Sequence, residues 1–298
     1  MSIVVNGTTL TDAKDGNTNI TKVYARNGTT GTYVLVFEKG GTVVINMFFG
    51  GNWKMNKTKA EIDSYFEAFN ANLDLNEQKR VVIFPPTCYL DYVKSKIPSS
   101  LSGMVKIGAQ SISDHASGAY TGQISVAMAK DCGCDYVLVG QSETRQYQGV
   151  TNEMCYDMCG LAKSADLKII YFIGETLEER EAGETDAVIT AQLTAIKDAF
   201  SGDEFTQYVT VAYEPVWAIG TDKSFNPDEL ITYVEKIKNI LAGFYDDQTA
   251  DNTSIVVSYS IKPGNAQSWL TVPYIKGAVI AGQSINANNF ATIINLDY

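Results

Sequence analysis

Eight short apolar runs, which recur from residue 47 to the end, constrain the fold of this chain more than any other feature. They read, in order, FFGGNW, RVVIFP, VKIGAQ, DYVLVGQ, LKIIYFIGE, VTVAYEPVW, SIVVSYS and GAVIAGQS. Each is nearly continuous in apolar residues, as expected of a strand that is buried on both faces of a parallel sheet. Because longer segments with helical spacing separate them, eight strand–helix units in about 250 residues predict an α/β fold, the (β/α)8 barrel.

Two of the intervening segments carry clear helix signals. Within residues 59–69 the apolar side chains fall on one face of a helix: Ile62, Tyr65, Phe66 and Phe69. A second helix is predicted to begin at Pro227, with Asn226 as its N-cap.

Residues 1–46 differ from the rest of the chain and form a predicted β-rich extension to the barrel of residues 47–298. They are rich in Thr, Val and Tyr, and Asn-Gly, Asp-Gly and Gly-Gly dipeptides interrupt them. Such dipeptides favour the tight turns of β-hairpins. Since a segment this short is marginally stable alone, we expect it to pair with itself, a neighbour or another chain, as an attachment or oligomerisation segment.

Charge and composition exclude several functional classes. The formal net charge of −11 argues against nucleic acids and anionic membrane surfaces as partners. No apolar run reaches 18 residues and the first residues lack a secretory pattern, so we expect a cytoplasmic protein. The single histidine excludes a multi-histidine metal site, and the five cysteines fit buried, reduced thiols better than disulfides or metal ligands.

Polar residues follow the predicted strands at the end of the barrel where enzymes of this fold carry their chemistry. Asn52 and Lys54 follow the first strand, Gln141 and Glu143 the fourth, and Glu214 the sixth. A carboxylate at the position of Glu214, before Pro-Val-Trp and a glycine, suits a base under a closing lid, but a solvated rim carboxylate fits equally well. Lys54 fits equally well as a partner of a substrate anion or of Glu143.

Four segments, GGNWKMN, GAYTGQIS, TLEEREAG and AYEPVWAIGT, closely resemble motifs of the triosephosphate isomerase family, and the resemblance extends over residues 47–298. It implies interconversion of dihydroxyacetone phosphate and glyceraldehyde 3-phosphate through an enediolate, without a cofactor or metal. It also implies that Glu214 moves the carbon-bound proton, that Asn52 and Lys54 lie beside the substrate oxygen and phosphate, and that Glu143 neighbours the strand-four electrophile.

The same resemblance places a phosphate site at the ends of the later strands. Residues 215–221 match the lid of the family, with the amide of Gly220 on the phosphate. Ser260 matches a phosphate-binding serine after strand seven. Ala281 and Gly282 match a Gly-Gly pair after strand eight, so one of these amides is expected to remain available.

The main departure from the family pattern is Gln141, which stands where the family has a histidine. That histidine donates a hydrogen bond to the substrate carbonyl and carries protons between the two substrate oxygens. An amide donates a hydrogen bond but cannot accept and return a proton. Loss of a positioned proton-transfer group lowers rates by about 10²–10⁴, so the sequence predicts an attenuated isomerase. The lone His115 is expected at a surface or interface after strand three and cannot substitute.

Further departures leave two functions open. Ser258 and Tyr259 replace two glycines of the family, so strain or another backbone path is expected there. Gln123 replaces a glutamate and Ala116 lies near the loop tip that the family inserts into its partner, which puts the usual homo-oligomer in question. The first hypothesis is a slow isomerase acting on a small phosphorylated triose. The second is an inactive barrel recruited as a binding or structural module, such as a virion or surface component anchored through residues 1–46.

Overall fold

The computed structural model describes residues 47–74, 78–219 and 225–298 in full, and within residues 1–46 it describes the backbone of six short strands. These strands pair as three antiparallel hairpins, β1 (Ser2–Val5) with β2 (Thr8–Thr11), β3 (Lys14–Asp15) with β4 (Thr18–Asn19), and β5 (Lys22–Arg26) with β6 (Tyr33–Glu38). The pairing agrees with the predicted β-rich segment. The glycines of its predicted turns lie outside the described residues.

Eight parallel strands form a closed barrel in sequential order, with the last strand paired to the first. They are β7 (Met47–Asn52), β8 (Lys79–Phe84), β9 (Val105–Ala109), β10 (Tyr136–Val139), β11 (Lys168–Ile173), β12 (Val209–Tyr213), β13 (Ser254–Val257) and β14 (Ile275–Ile280). Each strand overlaps one of the eight apolar runs, so the predicted TIM barrel is confirmed.

Helices cover the outside of the barrel. They are α1 (Lys59–Asn72), α2 (Leu90–Lys96), α3 (Val126–Asp131), α4 (Ser142–Gln148), α5 (Asn152–Ser164), α6 (Leu177–Glu181), α7 (Thr185–Lys197), α8 (Gly202–Tyr208), α9 (Pro227–Phe244), α10 (Asp247–Asn252), α11 (Ala266–Leu270) and α12 (Ala287–Asn295). The four apolar residues predicted to share a face of α1 are its buried residues. Asn226 caps α9, since its Oδ1 accepts the N–H groups of Asp228 and Glu229 at 3.0 Å each.

Side chains that alternate along the strands fill the inside of the barrel. This interior cluster consists of Phe48, Val82, Phe84, Leu138, Ile170, Phe172, Ala212, Val256 and Val279. The other apolar side chains of the strands pack outward against the helices. Because the interior is filled, the carboxyl ends of the strands are where polar groups can gather around a ligand. Within the described ranges, no helix is both long and apolar enough to cross a membrane.

All five cysteines are free thiols. Cys134, Cys155 and Cys159 are buried as predicted, and burial raises the pKa of the Cys134 thiol to about 12. The prediction of a buried thiol is wrong for Cys88, which is exposed in the turn after β8.

Candidate active site

Two buried amides meet at the carboxyl ends of β7 and β10. Asn52 Nδ2 donates to Gln141 Oε1 at 3.1 Å, and Asn52 Oδ1 accepts the backbone N–H of Lys54 at 3.0 Å. Since that backbone N–H fixes the oxygen of Asn52, the nitrogen of Asn52 must face Gln141. Gln141 therefore turns its oxygen to Asn52 and keeps its two N–H donors for other partners.

The backbone at Lys54 is held in an unusual conformation. Its φ is +50°, in the left-handed region that residues other than glycine rarely adopt. Gln110, which follows β9, donates from Nε2 to the carbonyls of Lys54 and Phe84 at 2.9 Å each and so stabilises this turn. Gln110 was not among the site residues predicted from the sequence. Its position at the end of the third apolar run is the signal that would have indicated it.

Lys54 Nζ forms an ion pair with Glu143, in the first turn of α4. This is one of the two arrangements that the sequence left open. Each side chain is 39% exposed. Ion pairs exposed to this extent contribute at most about 1 kcal/mol, so an anionic ligand can compete with Glu143 for the ammonium group.

Glu214 lies directly after β12 and is only 4% exposed, so the alternative of a solvated rim carboxylate is wrong. Its Oε2 accepts the backbone N–H of Ser142, the first residue of α4, at 2.9 Å. Burial raises the pKa of Glu214 and the charge of Glu143 acts in the same direction, while the Ser142 hydrogen bond and Lys54 oppose them. A raised pKa makes the ionised carboxylate a stronger base.

Gly174 allows the end of β11 to approach the backbone of Glu214. Its φ is +158°, and a Cβ at this position would lie 1.8 Å from the Glu214 carbonyl oxygen. Glu214 N also donates to the carbonyl of Ile173 at 2.8 Å. The neighbouring strand thus fixes the main chain that carries the carboxylate.

These strand ends surround a cavity of about 410 Å³, a size that suits a small ligand. Its wall includes seven of the site residues predicted from the sequence: Asn52, Lys54, Gln141, Glu214, Ser260, Ala281 and Gly282. Lys54 lines both this cavity and an adjoining one that contains Glu143. Gly220 lies outside the described residues, as does the part of the predicted lid that follows residue 219.

The loop after β13 takes another backbone path rather than a strained one. Outside glycine, positive φ among the described residues is confined to Lys54, Lys57, Asp166 and Tyr274. Neither Ser258 nor Tyr259 is among them, so of the two outcomes expected for these substitutions the second is observed. The Ser258 N–H donates to the Tyr213 carbonyl at 2.8 Å, which ties the new path to β12.

His115 lies in the loop after β9, away from the cavity walls. Its side chain is 45% exposed and its ring stacks on Tyr120 with 4.0 Å between centroids. Gln123, in the same loop, accepts a hydrogen bond from the Ser113 hydroxyl. The exposure of His115 agrees with the predicted surface or interface position.

The chain is thus a TIM barrel whose polar strand ends converge where enzymes of this fold bind their substrates. The sequence profile described as "Triosephosphate isomerase" matches residues 47–297. The chain is 37% identical over 249 residues to the triosephosphate isomerase of Taenia solium, a match that covers 84% of this chain and 97% of that protein. It is 38% identical over 243 residues to the Vibrio cholerae protein of the same name (82% and 93% covered) and 39% identical over 247 residues to that of Bacteroides fragilis (82% and 96% covered).

The chain belongs to the triosephosphate isomerase family and is by that membership an isomerase. The family resemblance inferred from four sequence motifs is therefore confirmed over the whole barrel.

Proposed function

We propose that this chain interconverts dihydroxyacetone phosphate and glyceraldehyde 3-phosphate through an enediolate, more slowly than a relative with histidine at position 141. The observation that carries the proposal is the placement of Glu214 and Gln141 on one small cavity. One supplies a buried carboxylate and the other a pair of amide donors, which are the groups that proton abstraction next to a carbonyl requires.

Glu214 is the proposed base. Its carboxylate takes a proton from the carbon next to the substrate carbonyl, the C–H electron pair forms the carbon–carbon double bond, and the carbonyl electrons move to oxygen. The hydroxyl proton on the neighbouring carbon passes through solvent water to the former carbonyl oxygen, a new carbonyl forms where that proton left, and the protonated Glu214 carboxyl returns its proton to the former carbonyl carbon to give the other isomer. Burial supports this role because it raises the pKa of Glu214 and so increases its affinity for the proton.

Gln141 is the proposed hydrogen-bond donor to the developing enediolate. Its oxygen is occupied by Asn52, so the Nε2 donors are available for a substrate oxygen. Such a donor stabilises negative charge in the transition state. The amide does not give a proton to one enediolate oxygen and take it from the other, so this transfer has to go through solvent water, and the lack of a positioned group for it is the reason for an expected deficit of about 10²–10⁴ in rate.

The phosphate of the substrate is proposed to bind beside the ends of β13 and β14. Gly282 begins a 3₁₀ turn of residues 282–285, and the first N–H groups of such a turn have no acceptor within it. Together with Ser260 and the ammonium of Lys54, these groups offer an anion site. Gly220 is proposed to add its amide, as the family motif implies.

A homodimer is the proposed oligomeric state. Next to the site is a groove of about 820 Å³ that is lined by Met55 and Tyr147, which are 95% and 76% exposed. Apolar side chains that are exposed together along one groove are typical of contact surfaces. The proposed occupant is the loop of a second copy that carries the stacked pair His115 and Tyr120. Light scattering on the variant Met55→Asp tests this, since a dimer held by the groove is expected to dissociate.

A second role, attachment of the barrel to a larger assembly through residues 1–46, is supported by the three hairpins of that segment. Two-stranded hairpins are marginally stable alone and gain stability by adding to another sheet. This role is compatible with isomerase activity and does not replace it.

The isomerase proposal is tested with a coupled assay for dihydroxyacetone phosphate formation. The protein and its variant Glu214→Gln are purified identically from a host that lacks its own isomerase. Removal of the base is expected to lower turnover by about 10²–10⁴. Equal rates for the two proteins would contradict the proposal.

A further inference from the structure

Four aromatic side chains, Trp217, Phe225, Tyr259 and Trp269, pack together beside the cavity and are called here the aromatic cluster. Phe225 meets Tyr259 edge-on with 5.5 Å between ring centroids, and both rings lie 5.1 Å from Trp269. Phe225 also meets Trp217 edge-on at 5.7 Å. These separations and tilts are the ones that attractive aromatic pairs prefer.

The members of the aromatic cluster come from four separate parts of the chain. Trp217 follows Glu214 by three residues, Phe225 lies just before α9, Tyr259 follows β13, and Trp269 belongs to α11. The three tryptophan and phenylalanine rings are at most 5% exposed. Tyr259 is the member that also lines the cavity, beside Ser260.

We propose that Tyr259 is a positioning residue for substrate binding, because its ring, held by Phe225 and Trp269, fixes the backbone that places Ser260 at the cavity wall. This inference rests on the proposed function. The backbone on either side of Ser260 is also held by two hydrogen bonds, from the Ser258 N–H to the Tyr213 carbonyl and from the Ile261 N–H to the Tyr259 carbonyl, each at 2.8 Å. Ser260 is exposed, and its carbonyl accepts one hydrogen bond, from Asn265 Nδ2 at 3.1 Å. Ring contacts thus take the place of the glycine turn that the family motif has here.

A positioning role and a purely structural one predict different kinetics. If the aromatic cluster only stabilises the fold, its loss lowers the melting temperature while the folded fraction binds substrate normally. If Tyr259 positions the wall that receives the phosphate, its loss raises KM and weakens anion binding while the chemical step at Glu214 and Gln141 proceeds at a similar rate.

The test compares the full chain with the variants Tyr259→Ala and Tyr259→Phe. Loss of two aromatic contacts is expected to raise KM and the Kd of inorganic phosphate, measured by calorimetry, by about tenfold, with kcat changed by less than about threefold. Tyr259→Phe keeps the ring and is expected to restore both constants to within about twofold of the parent. Phe225→Leu, which removes the partner ring, is expected to shift both constants in the same direction as Tyr259→Ala.

Unchanged KM and phosphate Kd in both Tyr259→Ala and Phe225→Leu would overturn the inference, as would a fall in kcat at constant KM. If Tyr259→Ala does not fold, Tyr259→Leu replaces it in the comparison. A parent protein that binds phosphate but shows no turnover would contradict the proposed function alone. The phosphate Kd of the variants would then test the inference by itself: a higher Kd in Tyr259→Ala supports it, and an unchanged Kd overturns it. A parent that binds no phosphate would overturn the inference itself.

Discussion

Replacing Gln141 by histidine isolates the proton-transfer step at which this chain is proposed to be slower than a relative with histidine at this position. Gln141 is the N-cap residue of α4, but its side chain makes no capping hydrogen bond and turns instead to Asn52. The shorter imidazole at this position can accept a backbone N–H of the first turn through Nδ1. A donated N–H holds the pKa of the ring low, so that it stays neutral, as is established for the histidine of this family.

Two effects of Gln141→His can be given magnitudes. Restoring a group that both gives and takes a proton is expected to raise kcat by about 10²–10⁴. A new N-cap hydrogen bond contributes about 1 kcal/mol, but the substitution also removes the acceptor of the buried Asn52 amide, which costs at least about 1 kcal/mol, so Tm is expected to stay the same or to fall by about 2–4 °C. Because the two effects have separate causes, the rate and the melting temperature report independently on the placement of the ring.

The assay measures kcat and KM for glyceraldehyde 3-phosphate in the parent, in Gln141→His and in Gln141→Leu. Leucine keeps the approximate size but removes the donor, so it is expected to lower kcat by about 10²–10³. If both variants match the parent while Glu214→Gln is inactive, then position 141 does not face the reacting oxygens. Such a result would refute attenuation by the amide of Gln141.

Three further predictions concern Glu214, Lys54 and the N-terminal segment. Burial raises the folded-state pKa of Glu214 above its ordinary value of 4.5, so this group stabilises the fold only while protonated and loses that contribution as the pH rises. Glu214→Gln is therefore expected to melt at a higher temperature than the parent at pH 7, with the difference vanishing below pH 4.5, and the kcat/KM of the parent is expected to fall as the pH drops through the raised pKa. Melting curves at several pH values check this, and a parent more stable than Glu214→Gln at pH 7 would contradict it. Lys54→Met is expected to raise KM by at least about tenfold, because it removes the positive charge beside the substrate phosphate. The free energy of unfolding measured in urea is expected to change by less than about 1 kcal/mol, because the ion pair with Glu143 is half-exposed. Deleting residues 1–46 is expected to leave turnover per barrel unchanged and to reduce the mass of any assembly seen by light scattering, and lost turnover would show that the domain boundary at residue 47 is wrong.

The barrel was predictable from the sequence because the same burial pattern is repeated eight times. A single apolar run of five residues is ambiguous between strand and helix, but runs buried on both faces at regular intervals are compatible with few other folds. The local signals at the helix ends were equally direct. Asn226 followed by a proline needs no tertiary contact to act as an N-cap, and the structure places it there.

The geometry of the site was not predictable in the same way. Whether Glu214 is a buried base or a rim carboxylate depends on the loops that cover it and on the N–H of Ser142, 72 residues earlier in the chain. The pairing of Lys54 with Glu143 spans 89 residues. Gln110 acts only through two backbone carbonyls, so its side chain gives no chemical signal in the sequence. Long-range contacts decide all three cases.

The substitutions after β13 illustrate why single positions mislead. From the sequence alone, the replacement of a glycine by Tyr259 predicts a disrupted phosphate-binding loop. In the folded chain its ring packs on Phe225 and Trp269, and neither Ser258 nor Tyr259 has a left-handed backbone conformation.

If Gln141 limits proton transfer and Tyr259 determines substrate affinity, the two residues act at different steps. The gain in kcat from Gln141→His and the rise in KM from Tyr259→Ala should then combine multiplicatively in kcat/KM of the double variant, to within about twofold. A strong departure from that product would mean that the loop after β13 and the amide of Gln141 act on the same step, and that the proposed attenuation has one cause rather than two.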